Sequence, residues 1–245
     1  MNIIITGASR GIGFETAKLF SEDKSNKIIC VSRTKYSGPT PNKNIFSIEF
    51  DLQKVNIEKD LLPQIKKYFS TLDLLINNAG TLVNKPFENI TDNEWEAVFD
   101  VNLFAPVKLT KALIPLMAPP LSPAQDAKSL SSGEGFRVRP HILNISSMGG
   151  FQGSSKFPGL TAYSASKGAL AILTECLAVE LAEKNIRVNC LCPGGVQTEM
   201  FETAFPGAQA AMTAKDMAEK IVAFCTEAKH RSTTGKIIPV SIATP

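Results

Sequence analysis

The chain has 245 residues, 44% of them hydrophobic and 20% charged, enough apolar material for one sizeable core and too much for a disordered chain. The net charge is only +3, and lysine and arginine are interspersed with aspartate and glutamate, so no basic stripe marks a nucleic-acid surface. No apolar run approaches the roughly 20 residues of a membrane span, and five scattered cysteines fit reduced thiols in a cytoplasm.

The N-terminal "MNIIITGASRG" enters a strand pattern at once, without the basic leader or small-residue cleavage site of a signal peptide. Residues 2–6 read as a buried strand and 11–22 as a helix. Strands follow at 27–32 and 45–50. Ile57, Leu61, Ile65 and Phe69 recur at four-residue spacing, which predicts an amphipathic helix over 57–70 with Pro63 in or near its first turn. A fourth strand covers 72–76. "TDNE" at 91–94 is a capping box that opens a helix, and a further helix covers about 103–117.

The stretch 118–141 is rich in Pro, Ser and Gly and lacks periodicity, so it reads as a long surface loop at the sheet edge opposite any ligand crevice. Strands at 141–146, 186–192 and 235–241 alternate with helices at about 161–184 and 213–228. Cys190 and Cys192 share one face of their strand, and with only His141 and His230 as histidines they read as core rather than metal ligands. Repeated β-α-β order with short apolar strands predicts an α/β fold. It is a three-layer, doubly wound parallel sheet of about seven strands in one domain over 1–245.

The chemistry gathers at strand ends. "TGASRGIG" (6–13) follows the first strand and opens the first helix. Gly7, Gly11 and Gly13 permit a tight turn near a ligand, and the helix N-terminus offers N–H groups and a positive dipole end to a pyrophosphate. Tyr163 and Lys167 are four apart at the front of a helix and therefore share a face. Bringing a phenol from about 10 to neutrality takes ~4 kcal/mol. An ammonium at ~4 Å in an effective dielectric of ~20 supplies ~4 kcal/mol.

"TGASRGIG", "NNAG" (77–80), Asn102 in "DVNLF", "NISS" (144–147), "YSASK" (163–167) and "PGGVQT" (193–198) stand in one order along the chain. That order resembles the short-chain dehydrogenase/reductases over essentially the whole length. The resemblance implies a Rossmann-type fold, a nicotinamide cofactor and hydride transfer between it and a carbonyl or alcohol.

It implies Asn102, Ser147, Tyr163 and Lys167 as the catalytic set. Tyr163 exchanges the proton, Ser147 binds the substrate oxygen with Ser146 as fallback, and Asn102 holds a water leading to Lys167. Asn77 would steady its loop, Asp51 would reach adenine and Thr198 the nicotinamide amide. The implied cofactor contacts are Gly7, Ser9, Arg10, Gly11, Ile12, Gly13, Arg33, Asp51, Leu52, Asn78, Ala79, Gly80, Tyr163, Lys167, Pro193, Gly194, Val196 and Thr198.

"VSRT" (31–34) carries Arg33 where an acid would bind a ribose 2′-hydroxyl, with Arg10 able to approach from the glycine turn. A guanidinium suits a 2′-phosphate, so NADP(H) is favoured over NAD(H).

Ser147 and Tyr163 are 16 residues apart, longer than the family's usual spacing, which keeps Ser154 and Ser155 as distant alternatives. The segment after Thr198 is short, which suggests an open pocket for a small or protruding carbonyl. Met200, Phe201, Phe205, Phe151 and Phe157 either line it or pack elsewhere. The leading expectation is an NADPH-dependent carbonyl reductase, with 3-oxoacyl compounds among the candidate substrates, assembled as a homodimer or homotetramer through the helices at about 103–117 and 161–184. The alternatives are an alcohol dehydrogenase working oxidatively and a non-catalytic NADPH-binding sensor.

Overall fold

The computed structural model describes residues 1–39, 43–53, 56–117, 139–230 and 232–241. The expected surface loop therefore lies outside the described residues except for its last three positions. Strands β1 (Asn2–Thr6), β2 (Lys27–Ser32), β3 (Ile45–Glu49), β4 (Leu74–Asn77), β5 (His141–Ile145) and β6 (Arg187–Pro193) form a parallel sheet with Ile237–Val240. Val196–Gln197 (β7) and Met212–Thr213 (β8) make a separate two-stranded ladder, so Ile237–Val240 is β9. The main order is β3-β2-β1-β4-β5-β6-β9, the seven-strand, doubly wound arrangement expected. The chain reverses direction across the sheet between β1 and β4, which opens a crevice at their C-terminal ends.

Alternate strand residues feed two cores. Ile4, Ile29, Leu75, Ile142 and Val188 pack on one face, under α4 (Ala105–Met117) and α5 (Thr161–Glu180). Ile3, Ile5, Ile28, Cys30, Ile76 and Leu143 pack on the other, under α1 (Gly11–Phe20) and α7 (Ala214–Thr226). Cys190 and Cys192 are buried with Ala171, as expected of core thiols. No helix among the described residues is long and apolar enough to cross a membrane.

Two helices depart from their sequence pattern. The segment from Ile57 buries all four predicted apolar residues, but it begins as a π turn over Ile57–Leu61 and becomes α-helical (α2) only over Leu62–Lys66. Pro63 has no N–H to give to the preceding turn, so regular bonding starts around it. Helix α3 (Asp92–Phe99) has the predicted capping box, with Thr91 and Glu94 bonded reciprocally. It runs through a π turn at Asp100–Phe104 into α4, and the amide of Ala105 bonds the carbonyl of Asp100. Pro106 carries no N–H for the Asn102 carbonyl four residues earlier, which favours the wider turn there.

His141, at the start of β5, is 2% exposed and accepts from the Asn189 side-chain amide through Nε2 at 3.0 Å. Burial first, then the nearby Arg187 guanidinium, holds its pKa well below the ordinary value. The folded imidazole thus stays neutral while the unfolded one takes a proton below about pH 6.5. Stability is expected to fall as pH drops through that value, by about 1 kcal/mol per pH unit. His141→Gln should flatten the dependence, as urea midpoints at pH 5 and pH 7 would show.

Candidate active site

The sheet's C-terminal edge holds a cavity of about 990 Å³. Its first end is the turn after β1. Gly7 and Gly11 adopt φ of 66° and 59°, a region that side chains rarely enter. A Cβ on Gly7 would also lie 2.8 Å from the Ala79 Cα. Arg10 begins α1 without a side-chain cap, so the first helical amides face outward as free donors beside the turn. Ser9, Arg10, Gly11 and Ile12 line the cavity. Gly13 does not. A Cβ there would sit 2.5 Å from the Gly7 carbonyl oxygen, so its part is to let helix and turn close on each other.

Thr6 secures the neighbouring strand end. Its hydroxyl accepts from the amides of Asn78 and Ala79, each at 3.0 Å, and the Asn78 side chain donates to the carbonyls of Thr6 and Gly7. Asn77, expected to steady this loop, points the other way. Its amide bonds Asn144 at 2.8 Å, and Asn144 bonds Thr174 of α5. Strand alternation accounts for the exchange of roles, and Asn78 is the residue that steadies the loop.

Arg33 stands exposed at the cavity margin, in a turn fixed by the Ser32 hydroxyl donating to the Thr34 carbonyl at 2.8 Å. Asp51 and Leu52 line the same end, and Asp51 accepts from the amide of Gln53. Arg10 does not turn toward Arg33. It pairs with Glu199 at 2.7 Å, across the cavity, on α6 (Glu199–Ala204).

The other end is built by β5, α5 and the turn at Met148–Gly150. Tyr163 and Lys167 both reach the cavity, with the Lys167 Nζ 5.9 Å from the Tyr163 ring centre. Lys167 is 3% exposed and donates to the Ile145 carbonyl at 2.8 Å. Burial pushes its pKa down from 10.5 to about 8. Tyr163 keeps an edge in the cavity, yet burial raises its pKa, and the hydrogen bond with Ser147 lowers it by less. The lysine, with an oxidised nicotinamide adding to it, was expected to draw the phenol toward neutrality; in the protein by itself desolvation outweighs the Ser147 hydrogen bond and the pKa is raised.

The two serines of "NISS" separate. Ser146 is buried and gives its hydroxyl to the Lys167 carbonyl at 2.7 Å, while Ser147 lines the cavity next to Tyr163 and accepts from the Gly149 amide. Ser154 bonds carbonyls of its own turn, and neither it nor Ser155 lines the cavity. Gly150 makes this placement possible, since a Cβ there would come within 2.5 Å of the α5 backbone at Lys167 and Gly168.

Asn102 stands behind the wall. Its side chain donates to the Thr81 carbonyl and the Ser166 hydroxyl and accepts from the Thr81 amide, all at 2.9 Å. A Cβ on Gly80 would lie 3.4 Å from both Asn102 Oδ1 and Lys167 Nζ, which keeps the three in one cluster. Thr198 caps α6 through its hydroxyl and packs its methyl toward Gly11, and Pro193, Gly194 and Val196 line the wall beside it.

Met200, Phe201, Phe205 and Phe157 line the mouth, whereas Phe151 packs with the buried cysteines. Asn84, which the motifs did not single out, ties the loop after β4 to the end of α6. Its side chain donates to the Ala204 carbonyl at 2.9 Å, and the next amide, of Lys85, bonds the Gly159 carbonyl. Asn84→Ala is expected to raise KM for a substrate about fivefold, one neutral hydrogen bond's worth, with cofactor affinity unchanged. Steady-state kinetics with both ligands varied would show it.

A short chain dehydrogenase family model matches residues 1–209. The 3-oxoacyl-[acyl-carrier-protein] reductase of Chlamydia muridarum is 32% identical over 204 residues, covering 80% of this chain and 74% of the relative. A solved 3-ketoacyl-(acyl-carrier-protein) reductase from Brucella melitensis, complexed with NADH, is 26% identical with a TM-score of 0.78, over 98% of this chain and 96% of that one. A 4-hydroxyisoleucine dehydrogenase complexed with NADH is 28% identical with a TM-score of 0.75, over the same shares. With the tyrosine, lysine and serine gathered at one end of the crevice and the glycine turn at the other, the chain belongs to the short chain dehydrogenase family, oxidoreductases acting between CH–OH and C=O.

Proposed function

We propose that the protein is an NADPH-dependent reductase that converts a ketone or aldehyde, including carbonyls of 3-oxoacyl type, to an alcohol. One observation carries this reading: Ser147, Tyr163 and Lys167 meet in the same cavity that opens onto the uncapped start of α1. The glycine turn and those amides suit a pyrophosphate, and the positive φ of Gly7 and Gly11 gives the turn its shape. Gly7, Ser9, Gly11 and Ile12 would hold the phosphates. Asp51, Leu52, Asn78, Ala79 and Gly80 would flank the adenosine and its linker, with Pro193, Gly194, Val196 and Thr198 beside the nicotinamide. When bound, the reduced nicotinamide supplies the hydride.

The chain's own residues do the rest. Ser147 donates a hydrogen bond to the substrate oxygen, and Tyr163 gives its proton to that oxygen as the carbonyl carbon is reduced. The Lys167 ammonium then stabilises the phenolate, which regains a proton from solvent. Burial raises the pKa of the Tyr163 phenol, so it carries its proton near neutral pH, the form that donates to a carbonyl oxygen. Asn102 would act through its backbone carbonyl, because its side chain is committed.

Arg33 supports NADPH. It is the exposed cation at the tip of the β2 turn, and Glu49, nearby on β3, is paired with Lys35. Assembly as a homodimer or homotetramer is supported by Phe104, Ile172 and Val179, which stand exposed just before α4 and along α5. Sedimentation showing only monomer at micromolar concentration would refute assembly. A panel of ketones and aldehydes, read by loss of NADPH absorbance, tests the activity. Binding of NADPH with no turnover of any of them would overturn it.

A further inference from the structure

Among the described residues, the mouth beyond Tyr163 is lined by aromatic and apolar side chains. Phe157 is 53% exposed yet meets Phe205 edge-on, ring centres 5.1 Å apart, and Phe201 stands 5.2 Å from Phe205. Leu82, Met148 and Leu160 continue the wall toward Tyr163.

Among the described residues lining the cavity, the charged ones are Arg10, Arg33, Asp51, Lys167 and Glu199. Arg33 and Asp51 follow β2 and β3, on the far side of the glycine turn. Arg10 and Glu199 neutralise each other at 2.7 Å. Lys167 is bonded to the Ile145 carbonyl beneath the tyrosine. Lys156, next to Phe157 in sequence, does not line this cavity and turns its ammonium to the Phe151 carbonyl and to both oxygens of Ser154. A carboxylate entering here would lose water and find no cation in exchange. An apolar ring would cover exposed phenylalanine surface and meet rings already set edge-on.

We propose, building on the reductase reading, that this end of the cavity selects an uncharged carbonyl compound whose substituent is aromatic or comparably bulky and apolar. Free oxo acids are rejected. The selection lies in Phe157 and Phe205, from the loops after β5 and after β6, so the pocket is completed only when those loops lie together as they do here.

Two substrate pairs isolate the effect from carbonyl reactivity, because the differing group is insulated from the ketone by methylenes. Methyl 5-oxohexanoate is expected to exceed 5-oxohexanoate in kcat/KM by at least about 20-fold, with 4-phenyl-2-butanone above 2-pentanone by about 10-fold. In Phe157→Ala and in Phe205→Ala the second ratio should fall at least about threefold. Phe157→Ala alters an exposed side chain and guards against a folding defect.

The same four ketones are titrated calorimetrically into Tyr163→Phe loaded with NADPH. The same order in binding, with no turnover by the unaltered enzyme, would leave the proposal standing and remove the reductase reading. Equal binding or turnover of the acid and its ester, or an aromatic preference that survives both phenylalanine variants, would overturn the proposal.

Discussion

Tyr163→Phe is expected to lower kcat for ketone reduction by about 10³-fold while NADPH affinity stays within about threefold. The substitution removes one oxygen from a ring that otherwise keeps its place on α5, so the wall of the cavity is preserved. On the proposed mechanism the lost atom gives the proton, and its neighbour Ser147 can donate a hydrogen bond but not replace a phenol as acid. Retention of more than a tenth of the rate would sink the assignment, and stopped-flow measurement of NADPH oxidation separates the chemical step from release.

The pH profile is a second arm of the same prediction. Lys167 has its pKa pushed down from 10.5 to about 8 by burial, so its cation is present below that value and lost above it. The phenol is pushed the other way and stays protonated there. Reduction is therefore expected to hold steady up to about pH 8 and to decline above it as the ammonium disappears, before the tyrosine itself ionises.

Most of the frame of this site was legible because it rests on local rules. Seven apolar runs became the seven strands of the main sheet, and the Thr91–Glu94 box opened the helix it marked. Tyr163 and Lys167 share a face because helical periodicity puts them there. What escaped depends on contacts between distant segments. The pKa of the Tyr163 phenol is raised rather than lowered because the ring is buried, and desolvation has no trace in a four-residue spacing. Asn77 and Asn78 are adjacent in sequence, and only the register of β4 decides which one turns to the glycine loop and which to Asn144. Gly150 stands in none of the motifs, yet its missing side chain is what lets the Ser147 turn rest on α5. The π turn holding Asn102 follows from Pro106 and from the grip of Thr81 and Ser166, two partners far from it in sequence.

Arg33→Asp is expected to cut kcat/KM for NADPH by about 10²- to 10³-fold and to leave that for NADH equal or higher. A charge-assisted guanidinium–phosphate contact contributes roughly 1.5–3 kcal/mol, and a carboxylate in its place adds repulsion from a dianionic phosphate. Arg10 is a poor substitute, because Glu199 already holds it across the cavity at 2.7 Å. Lys35 is drawn to Glu49 at 3.5 Å. Arg33 is thus the cation at this end without an ion-pair partner among the described residues, and the preference should rest on it.

Both solved relatives named above carry NADH, so the opposite preference has a concrete form. If the unaltered protein uses NADH as well as NADPH, or if Arg33→Asp leaves the NADPH value within threefold, the 2′-phosphate is not read at this turn. The arginine would then be a solvated surface charge. A parallel Arg10→Ala distinguishes a shared site from a single one: a loss below threefold is expected, since that guanidinium's work is the ion pair to α6.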